Sequence, residues 1–334
     1  MNRRYIFEPS AMVPSLYRPF TKRWLYFNRR FNDMVYQMHR IFPSASIKNM
    51  AIMIKGNWRG DGYFATIIDS IVCLQPDGGS QCFPLYLYDG PAEATQPGLF
   101  SEEPTQQTRR DAITDEGLAH FQEAYPGEKL TKEDLFYYVY GLLHSPDYRA
   151  TYADNLGKEL PRIPRVKEAR DFWAFSKAGR ALADLHLNYE TVEPHPVEVV
   201  TTGQVSDASY CVEKMRYGKD KVDGKSVDDK TTLIYNDHIT LRGIPLEAYD
   251  YVVNGKSALD WVIERQCVKT DKDSGIVNDA NAWAVETMGN PKYPLELFQR
   301  VITVSLETVK IVNNLPPLTL QTITQGVEAS ALAN

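Results

Sequence analysis

The chain has 334 residues, of which 43% are hydrophobic and 11% aromatic, and this length is enough for two domains or one large one. It contains no apolar run of about 18 residues, and its N-terminus lacks a secretory signal, so neither a membrane span nor export is predicted. Four scattered cysteines without a CxxC pair indicate reduced thiols in a cytoplasmic protein, and the formal net charge of −6 argues mildly against nucleic acid.

Charge is distributed very unevenly along the chain. Residues 1–60 contain 11 Lys or Arg and 2 Asp or Glu, a net charge of +9, whereas residues 61–140 contain 4 and 14, a net charge of −10. Such a chain can present a strong local positive field although its total charge is negative. The alternative is that the two blocks neutralise each other across an internal interface.

The first part of the chain is rich in predicted strands. β-Branched and aromatic residues predict strands at Trp24–Phe27, Lys48–Lys55 and Gln81–Tyr88, and a strand pair or a bent strand at Tyr63–Leu74. The segment from Asp89 to Asp111 contains Pro, Gly and acidic residues without periodicity. It is predicted to be a linker and is the best candidate for a domain boundary.

Two predicted helices follow in the middle of the chain. Thr131 and Asp134 form a capping box, which predicts that a helix starts near Lys132. Ser145 is predicted to cap a second helix, which Pro146 begins because a missing N–H costs nothing at that position.

A basic segment, KELPRIPRV, comes next, at residues 158–166. Each proline disfavours helical conformation in the residue before it, so this segment is predicted to be extended and rigid. We refer to residues 158–167 as the basic strip. A long helix is predicted after it, from Glu168 to Asn188, with Phe172 and Leu182 on one apolar face.

The second half of the chain returns to strands and then to helices. Strands are predicted in YCVEKMRYGK and TTLIYNDHITLRGIP, joined by a charged loop at Lys219–Lys230. Helices are predicted from about Ser257 and from Asn278 or Asp279, and a last helix ends before Pro316.

The order of strands, helices, strands and helices predicts an α+β fold rather than alternating βαβ units. Residues 1–125 are predicted to form a basic and then acidic, strand-rich N-terminal part. Residues 126–318 are predicted to form a helical and mixed α+β core, and residues 319–334 a frayed tail.

No motif for catalysis, for a metal or for a cofactor was found in the sequence. GKS occurs at Gly224–Ser226 and at Gly255–Ser257, but Lys219 and Asp250 stand where a P-loop requires a further glycine. The six histidines form no HExxH motif, and there is no GxSxG elbow, nuclease motif or methyltransferase cofactor loop. The prediction is therefore a chain that is not an enzyme by itself and that has no cofactor.

Basic residues interleaved with aromatic residues are the positive signal. Long cations provide the contacts that DNA phosphates need. The predicted phosphate contacts are Arg18, Lys22, Arg23, Arg29, Arg30, Lys158, Arg162 and Arg165. The alternative is that these side chains pair with acidic residues from 61–140. Base-reading groups are predicted on loops, with Gly56–Tyr63 and Lys219–Lys230 as candidates.

Four blocks of sequence carry a resemblance to a known family. They are LYRPFTKRWLYF, FYYVYGLLHSPDYRATYADNLGKELPRIP, YVVNGKSALDWVIERQCVKTDKDSGIVNDANAW and RVITVSLETVKIVNNLPPL. Together they resemble the C-terminal specificity region of type ISP restriction–modification enzymes over about residues 16–318. In that family a single polypeptide carries a nuclease, a helicase-like ATPase, an adenine methyltransferase and then this region.

The resemblance implies a non-catalytic module that recognises a duplex DNA sequence for upstream methyltransferase, ATPase and nuclease modules. The sequence begins at Met1 without those modules, which leaves open an expressed fragment, a truncated gene product and a free-standing subunit. Two rival interpretations remain: part of an adenine-specific DNA methyltransferase that acts together with the upstream modules, and a protein-docking scaffold.

Overall fold

The computed structural model of the chain describes residues 6–28, 30–55, 63–73, 80–89 and 108–321. Its strands are β1 Met12–Arg18, β2 Thr21–Tyr26, β3 Ala51–Lys55, β4 Phe64–Ile68, β5 Ile71–Val72, β6 Gln81–Pro84, β7 Tyr86–Asp89, β8 Thr108–Asp111, β9 Glu198–Thr201, β10 Arg216–Val222, β11 Lys225–Ile234, β12 Ile239–Arg242, β13 Val252–Val253, β14 Lys256–Ser257, β15 Val268–Thr270 and β16 Val277–Asp279. Its α-helices are α1 Met38–Ile41, α2 Asp115–Gln122, α3 Lys132–His144, α4 Pro146–Thr151, α5 Ala153–Leu156, α6 Ala169–Leu187, α7 Ala258–Arg265, α8 Ala280–Ala282 and α9 Tyr293–Asn313. Short 3₁₀ helices cover Pro9–Ala11, Asp207–Tyr210 and Leu246–Tyr249, and a π-helical turn covers Trp283–Thr287.

The strands form several small sheets rather than one large one. β1 lies between β2, which is antiparallel to it, and β5, which is parallel. β3 lies between β4 and β6, and a further sheet has the order β10-β11-β12-β9, all antiparallel. The remaining strands form the antiparallel pairs β7–β8, β13–β14 and β15–β16. This mixture of helices and small sheets confirms the predicted α+β class.

Among the described residues, the buried side chains form two hydrophobic cores. The sheet β4-β3-β6, which we call the central sheet, separates them. On β3, Ala51 and Met53 belong to the first core, whereas Ile52 and Ile54 belong to the second. Successive side chains of a strand point to opposite faces. A strand buried on both faces needs apolar residues at every position, and the run AIMI provides them.

Each core combines distant parts of the chain. The first takes side chains from β1, the β10-β11-β12-β9 sheet, α7 and α9. The second takes side chains from α2, α3, α4 and α6 and from the opposite face of the central sheet. Both cores therefore include residues from each side of position 125, and the predicted division into parts at that position stays a prediction.

Two glycines bring α3 and α6 unusually close together. A Cβ atom on Gly179 would lie 1.9 Å from the carbonyl oxygen of Tyr137, and one on Gly141 would lie 2.2 Å from that of Phe175. Neither position accommodates a side chain without displacing backbone. The contact fixes these two helices, which carry half of the buried residues of the second core.

The predicted helix starts are confirmed, because a cap depends on only a few neighbouring residues. Thr131 Oγ1 accepts a hydrogen bond from the Asp134 N–H at 3.1 Å, and the Asp134 carboxylate accepts one from the Thr131 N–H. Ser145 Oγ accepts from the Tyr148 N–H in front of α4.

Three sequence predictions need correction. The predicted linker Asp89–Asp111 ends in β8, which pairs with β7, while residues 90–107 lie outside the described residues. The predicted loop Lys219–Lys230 is a β-hairpin formed by β10 and β11. In the predicted frayed tail, residues 319–321 are paired: the Lys167 N–H donates to the Thr319 carbonyl at 2.8 Å, and residues 322–334 lie outside the described residues.

Candidate nucleic-acid interface

The N-terminal cations lie on and beside the β1–β2 hairpin, where they contact the second half of the chain. Lys22 Nζ donates to Glu190 Oε2 at 2.5 Å, and the Tyr293 hydroxyl donates to the other oxygen of Glu190 at 2.6 Å. The Lys22 side chain is 22% exposed and that of Glu190 14%. This partly buried ion pair joins β2 to the turn after α6, and the Tyr293 hydroxyl extends the link to α9.

Arg18 and Arg23 pack on aromatic rings. The Arg18 guanidinium lies 4.3 Å from the Tyr17 ring centroid and donates to the Tyr17 carbonyl at 2.7 Å. The Arg23 guanidinium lies 5.9 Å from the Trp283 ring, and burial lowers the pKa of Arg23 below its usual value. Both side chains are half-buried. Of the two remaining N-terminal cations, Arg30 is exposed and Arg29 lies outside the described residues.

Buried tyrosines hold the basic strip from below. The hydroxyls of Tyr148, Tyr138 and Tyr125 donate to three alternate carbonyls of the strip, those of residues 162, 164 and 166, at 2.8, 2.7 and 2.7 Å. Burial raises the pKa of all three phenols, that of Tyr125 to about 12, so each remains a donor at neutral pH. Alternate carbonyls point the same way in an extended chain, which explains the spacing of two.

The other edge of the strip pairs with residues near the end of the chain. The Gln321 N–H donates to the Arg165 carbonyl at 3.1 Å, and Val166 forms an isolated β-bridge with Leu320. The strip is therefore held on both sides by hydrogen bonds from the second core and the C-terminal residues. This geometry agrees with the extended, rigid conformation that its prolines predict.

The strip exposes Lys158, Leu160, Arg162 and Lys167, whereas Val166 is buried. Lys158 is exposed, and the Arg162 side chain is 80% exposed although it contacts Glu159 at 3.1 Å. Arg165 is half-buried and donates to the His120 carbonyl at 3.1 Å. An exposed ion pair of this kind contributes little to stability, so Lys158 and Arg162 can exchange their surroundings for a ligand at low cost.

The described ion pairs give little support to neutralisation between the two oppositely charged blocks. Arg40 does pair with Asp89, which links them. Lys22 and Arg162, however, pair with Glu190 and Glu159, which lie outside residues 61–140. The acidic partners of these two predicted phosphate contacts thus lie outside that block.

Comparison with known proteins identifies the family. The family model for the type ISP C-terminal specificity domain matches residues 1–297. The chain belongs to this family. Searching curated proteins returned no match.

Solved structures similar to this specificity domain include three that contain DNA or a DNA substrate mimic. The ATP-dependent type ISP enzyme LlaBIII bound to DNA shares 36% identity over 96% of the chain, with a TM-score of 0.80. A nuclease-deletion mutant of the type ISP enzyme LlaGI, in complex with a DNA substrate mimic, shares 35% identity over 96%, with a TM-score of 0.76. A DrdV–DNA complex shares 33% over 95%, with a TM-score of 0.77. The chain spans only 19%, 26% and 29% of those three chains.

The specificity domain has a structured element where the sequence predicted a base-reading loop. The Lys219–Lys230 segment forms the outer part of the β10–β11 hairpin, and its turn is Asp223-Gly224. An Asp-Gly pair between two strands is a strong hairpin signal, but the many charges obscured the alternation that normally accompanies it. Of the other predicted loop, Gly56–Tyr63, only Tyr63 lies within the described residues.

Across the described part of the specificity domain, no group of three or more His, Cys, Asp or Glu side chains could hold a metal ion. No described helix is long and apolar enough to cross a membrane.

Proposed function

We propose that this specificity domain recognises a sequence in duplex DNA for catalytic modules of a type ISP restriction–modification system, and catalyses no reaction alone. The observation that carries the proposal is its similarity, at 33–36% identity over at least 95% of its length, to enzymes whose structures contain DNA or a DNA mimic. A cytoplasmic location, where such DNA is found, is part of the same proposal.

The strip offers the best-placed phosphate contacts. Phosphate contacts need long cations that reach solvent from a fixed backbone. Arg162 meets both conditions, because its side chain is exposed and the Tyr148 hydroxyl holds its carbonyl. Lys158 is also exposed, and its backbone is held by the bond from its N–H to the Asn155 carbonyl at 2.9 Å. Arg165 lies on the same backbone but is engaged with the His120 carbonyl.

The N-terminal cations form a second proposed group. Arg18, Lys22 and Arg23 are half-buried and held by aromatic rings or by Glu190. A phosphate that contacts them would have to share these side chains with their present partners or replace those partners. We retain these three as proposed phosphate contacts of lower accessibility, together with Arg30, which is exposed, and Arg29, which lies outside the described residues. Lys22 also has a structural role, because its ion pair with Glu190 links β2, through the Tyr293 hydroxyl, to α9.

The direct test is selection from a duplex pool with a random centre, at low and at moderate salt, followed by sequencing of the bound fraction. We expect an enriched motif and binding that weakens as salt increases. Salt-dependent binding without enrichment would limit the chain to phosphate contact. No binding at low salt would contradict the proposal and favour a protein-docking scaffold.

A matched pair of variants tests the phosphate contacts. Arg162 pairs with Glu159 three residues earlier at 3.1 Å, and Lys310 on α9 pairs with Glu307 in the same way at 3.2 Å. Arg162→Ala should weaken binding to all sequences alike and reduce the salt slope by about 1. Lys310→Ala removes an equivalent exposed charge and should leave the slope unchanged. Equal effects of the two variants would mean that only net charge matters.

The remaining modules of the parent enzyme are the second proposed partner. The chain spans less than a third of each similar enzyme, so much of such a polypeptide lies outside it. Trp24, Met34 and Tyr36 are 52%, 56% and 66% exposed, which is apolar surface that a neighbouring module could cover. Binding of S-adenosylmethionine by the chain would contradict the proposed lack of a catalytic site and favour the methyltransferase alternative.

A further inference from the structure

The β10–β11 hairpin has a base that is packed and a tip that is not. At the base, Tyr217 pairs with Leu233, which is fully buried. The tip is the segment Lys219–Asp228, and all of its residues are exposed. Both faces of this two-stranded ribbon meet solvent, so the tip contributes nothing to either hydrophobic core.

A bulge separates the tip from the base and sets its direction. Tyr217 pairs with Leu233 but the next residue, Gly218, pairs with Asp229, so three residues of β11 have no partner on β10. Asp229 Oδ1 accepts hydrogen bonds from the Thr231 N–H at 2.9 Å and the Thr231 hydroxyl at 2.6 Å. Bulges bend a strand and increase its twist, and they often direct side chains towards a ligand.

Contacts with the body of the protein make the base firm. The Tyr217 hydroxyl donates to Asp260 Oδ1 on α7 at 2.7 Å. The Tyr249 hydroxyl donates to the Lys230 carbonyl at 2.8 Å, and Lys230 Nζ lies 4.8 Å from the Tyr249 ring. At the far end, Asp223 and Gly224 have φ values of 50° and 75°, as a tight two-residue hairpin turn requires.

The stability of the fold does not explain why the chain has a ribbon that is exposed on both faces. A lone two-stranded hairpin is marginal in water, and ordering its backbone costs conformational entropy. The major groove of B-DNA is about 12 Å wide and admits a two-stranded ribbon. The tip contains three lysines and three aspartates, so it has no net charge and is poorly suited to binding phosphate alone.

The side chains of the tip are suited to base edges. In the observed register, Lys221 and Ser226 are partners on one face, and Val222 and Lys225 are partners on the other. Lysine, serine and aspartate contact the donors and acceptors of bases in the major groove, and an apolar side chain contacts the thymine methyl group. Val222 is 54% exposed and belongs to neither hydrophobic core.

We propose that the tip of the β10–β11 hairpin enters the major groove and reads base edges there. This inference rests on the proposed function and goes further, because it assigns base recognition to one element and one groove. Lys221, Val222, Lys225 and Ser226 are the side chains that reach the bases.

The test repeats the duplex selection with two variants of the full chain. In the first, Lys221→Thr and Ser226→Ala are combined, which changes one cross-strand pair on one face of the ribbon and leaves the length of the hairpin unchanged. In the second, Lys219–Asp228 is replaced by Asn-Gly, which closes the hairpin directly between Gly218 and Asp229. In both variants, we expect the preference for the correct over an incorrect base pair to fall at least about tenfold at two or more neighbouring positions. Binding to random duplex should change by less than about threefold.

The control is Lys269→Thr on β15, which removes a lysine from another exposed hairpin. It should leave the enriched motif unchanged, and thermal unfolding of every variant verifies that the fold is intact. Enrichment of the wild-type motif at full strength by the shortened hairpin would overturn the inference and leave the proposed function standing.

A second measurement applies if the wild-type chain binds DNA without enriching a motif. A photo-crosslinking residue is placed at Val222 or, for comparison, at Lys269. Crosslinks to bases from position 222 and none from position 269 are expected. Absence of base crosslinks from position 222 would overturn the inference, whereas a wild-type chain that binds no DNA would overturn the proposed function with it.

Discussion

Lys22 on β2 and Arg162 on the basic strip are both cations predicted to contact DNA phosphate, yet their surroundings differ. Lys22 is mostly buried and paired with Glu190, and it joins two distant parts of the chain. The Arg162 side chain is 80% exposed and has only a surface ion pair with Glu159, whereas its backbone carbonyl accepts the Tyr148 hydroxyl. A positively charged side chain therefore stabilises the fold in one region and remains available to a ligand in the other.

The difference has a structural cause. The strip is held by tyrosines that bind its carbonyls and by Val166 in the second core, which leaves the side chains of Lys158 and Arg162 exposed. The β1–β2 hairpin instead lies against the second half of the chain, so its cations meet aromatic rings and an acidic residue. Experiments that weaken one region and not the other test this contrast.

The largest effect is expected from Gly179→Ala, which should remove the support of the strip. The added Cβ would lie 1.9 Å from the Tyr137 carbonyl oxygen, so α3 and α6 must separate. We expect a loss of about 3 kcal/mol or more in the free energy of unfolding, measured by denaturant titration. Lys177→Ala, at an exposed position of the same helix, should change it by less than about 0.5 kcal/mol. Equal stability of the two variants would contradict the close helix contact.

Low pH should destabilise the same pair of helices, α3 and α6, that supports the strip. Burial lowers the pKa of His186 to about 3, and His186 bonds to the Tyr140 hydroxyl at 2.6 Å and to Thr308 at 2.9 Å. The unfolded chain, with a histidine pKa of about 6.5, binds more protons than the folded one below that pH. The free energy of unfolding should therefore be highest above about pH 6.5 and fall by roughly 1.4 kcal/mol per pH unit towards pH 3 for this residue.

Burial also lowers the pKa of His144, so it acts in the same direction. In denaturant titrations between pH 7 and pH 4, His186→Gln should reduce the slope, and His238→Gln, at an exposed position, should not. A slope that is the same in both variants and in the wild type would show that His186 is accessible to protons in the folded chain.

A smaller effect is expected from the tyrosine hydroxyls themselves. Tyr138→Phe combined with Tyr148→Phe leaves two carbonyls of the strip without their donors, at a cost of about 2 kcal/mol. Amide hydrogen exchange in residues 158–167 should accelerate, and DNA affinity should fall with it. Tyr152→Phe is the control, because its ring packs on Tyr148 but its hydroxyl holds no strip carbonyl. Unchanged exchange in the double variant would mean that the prolines alone keep the strip extended.

The smallest stability effects separate the two cations directly. Lys22→Met leaves Glu190 partly buried without its cation and should cost about 1–2 kcal/mol. Arg162→Met removes an exposed pair and should cost less than about 0.5 kcal/mol, while it weakens DNA binding. Denaturant titration and a binding titration on the same two variants measure both quantities. The reverse order of stability effects would refute the contrast between the two regions.

Much of the local structure could be predicted from neighbouring residues. The caps at Thr131 and Ser145 are confirmed because such a cap needs only the residues within one helical turn. The strip was correctly predicted to be extended between Leu160 and Val166, since Pro161 and Pro164 act on the residues before them. Lys158 and Glu159 instead lie in the turn that follows α5, where both N–H groups donate to the Asn155 carbonyl. The hairpin at Lys219–Lys230 was wrongly predicted as a loop, because a strand exposed on both faces has no alternation of polar and apolar residues.

The α+β class, the helix starts, the extended strip and the family are thus encoded in local patterns and in recognisable blocks of sequence. Which cations are buried and which are exposed could not be read from the sequence, because Lys22 and Glu190 are 168 positions apart and meet only in the folded chain. The same holds for the tyrosines beneath the strip and for the central sheet that divides the two cores. Burial is a property of the packed molecule, since it depends on which distant segments lie against a residue and not on the residue type.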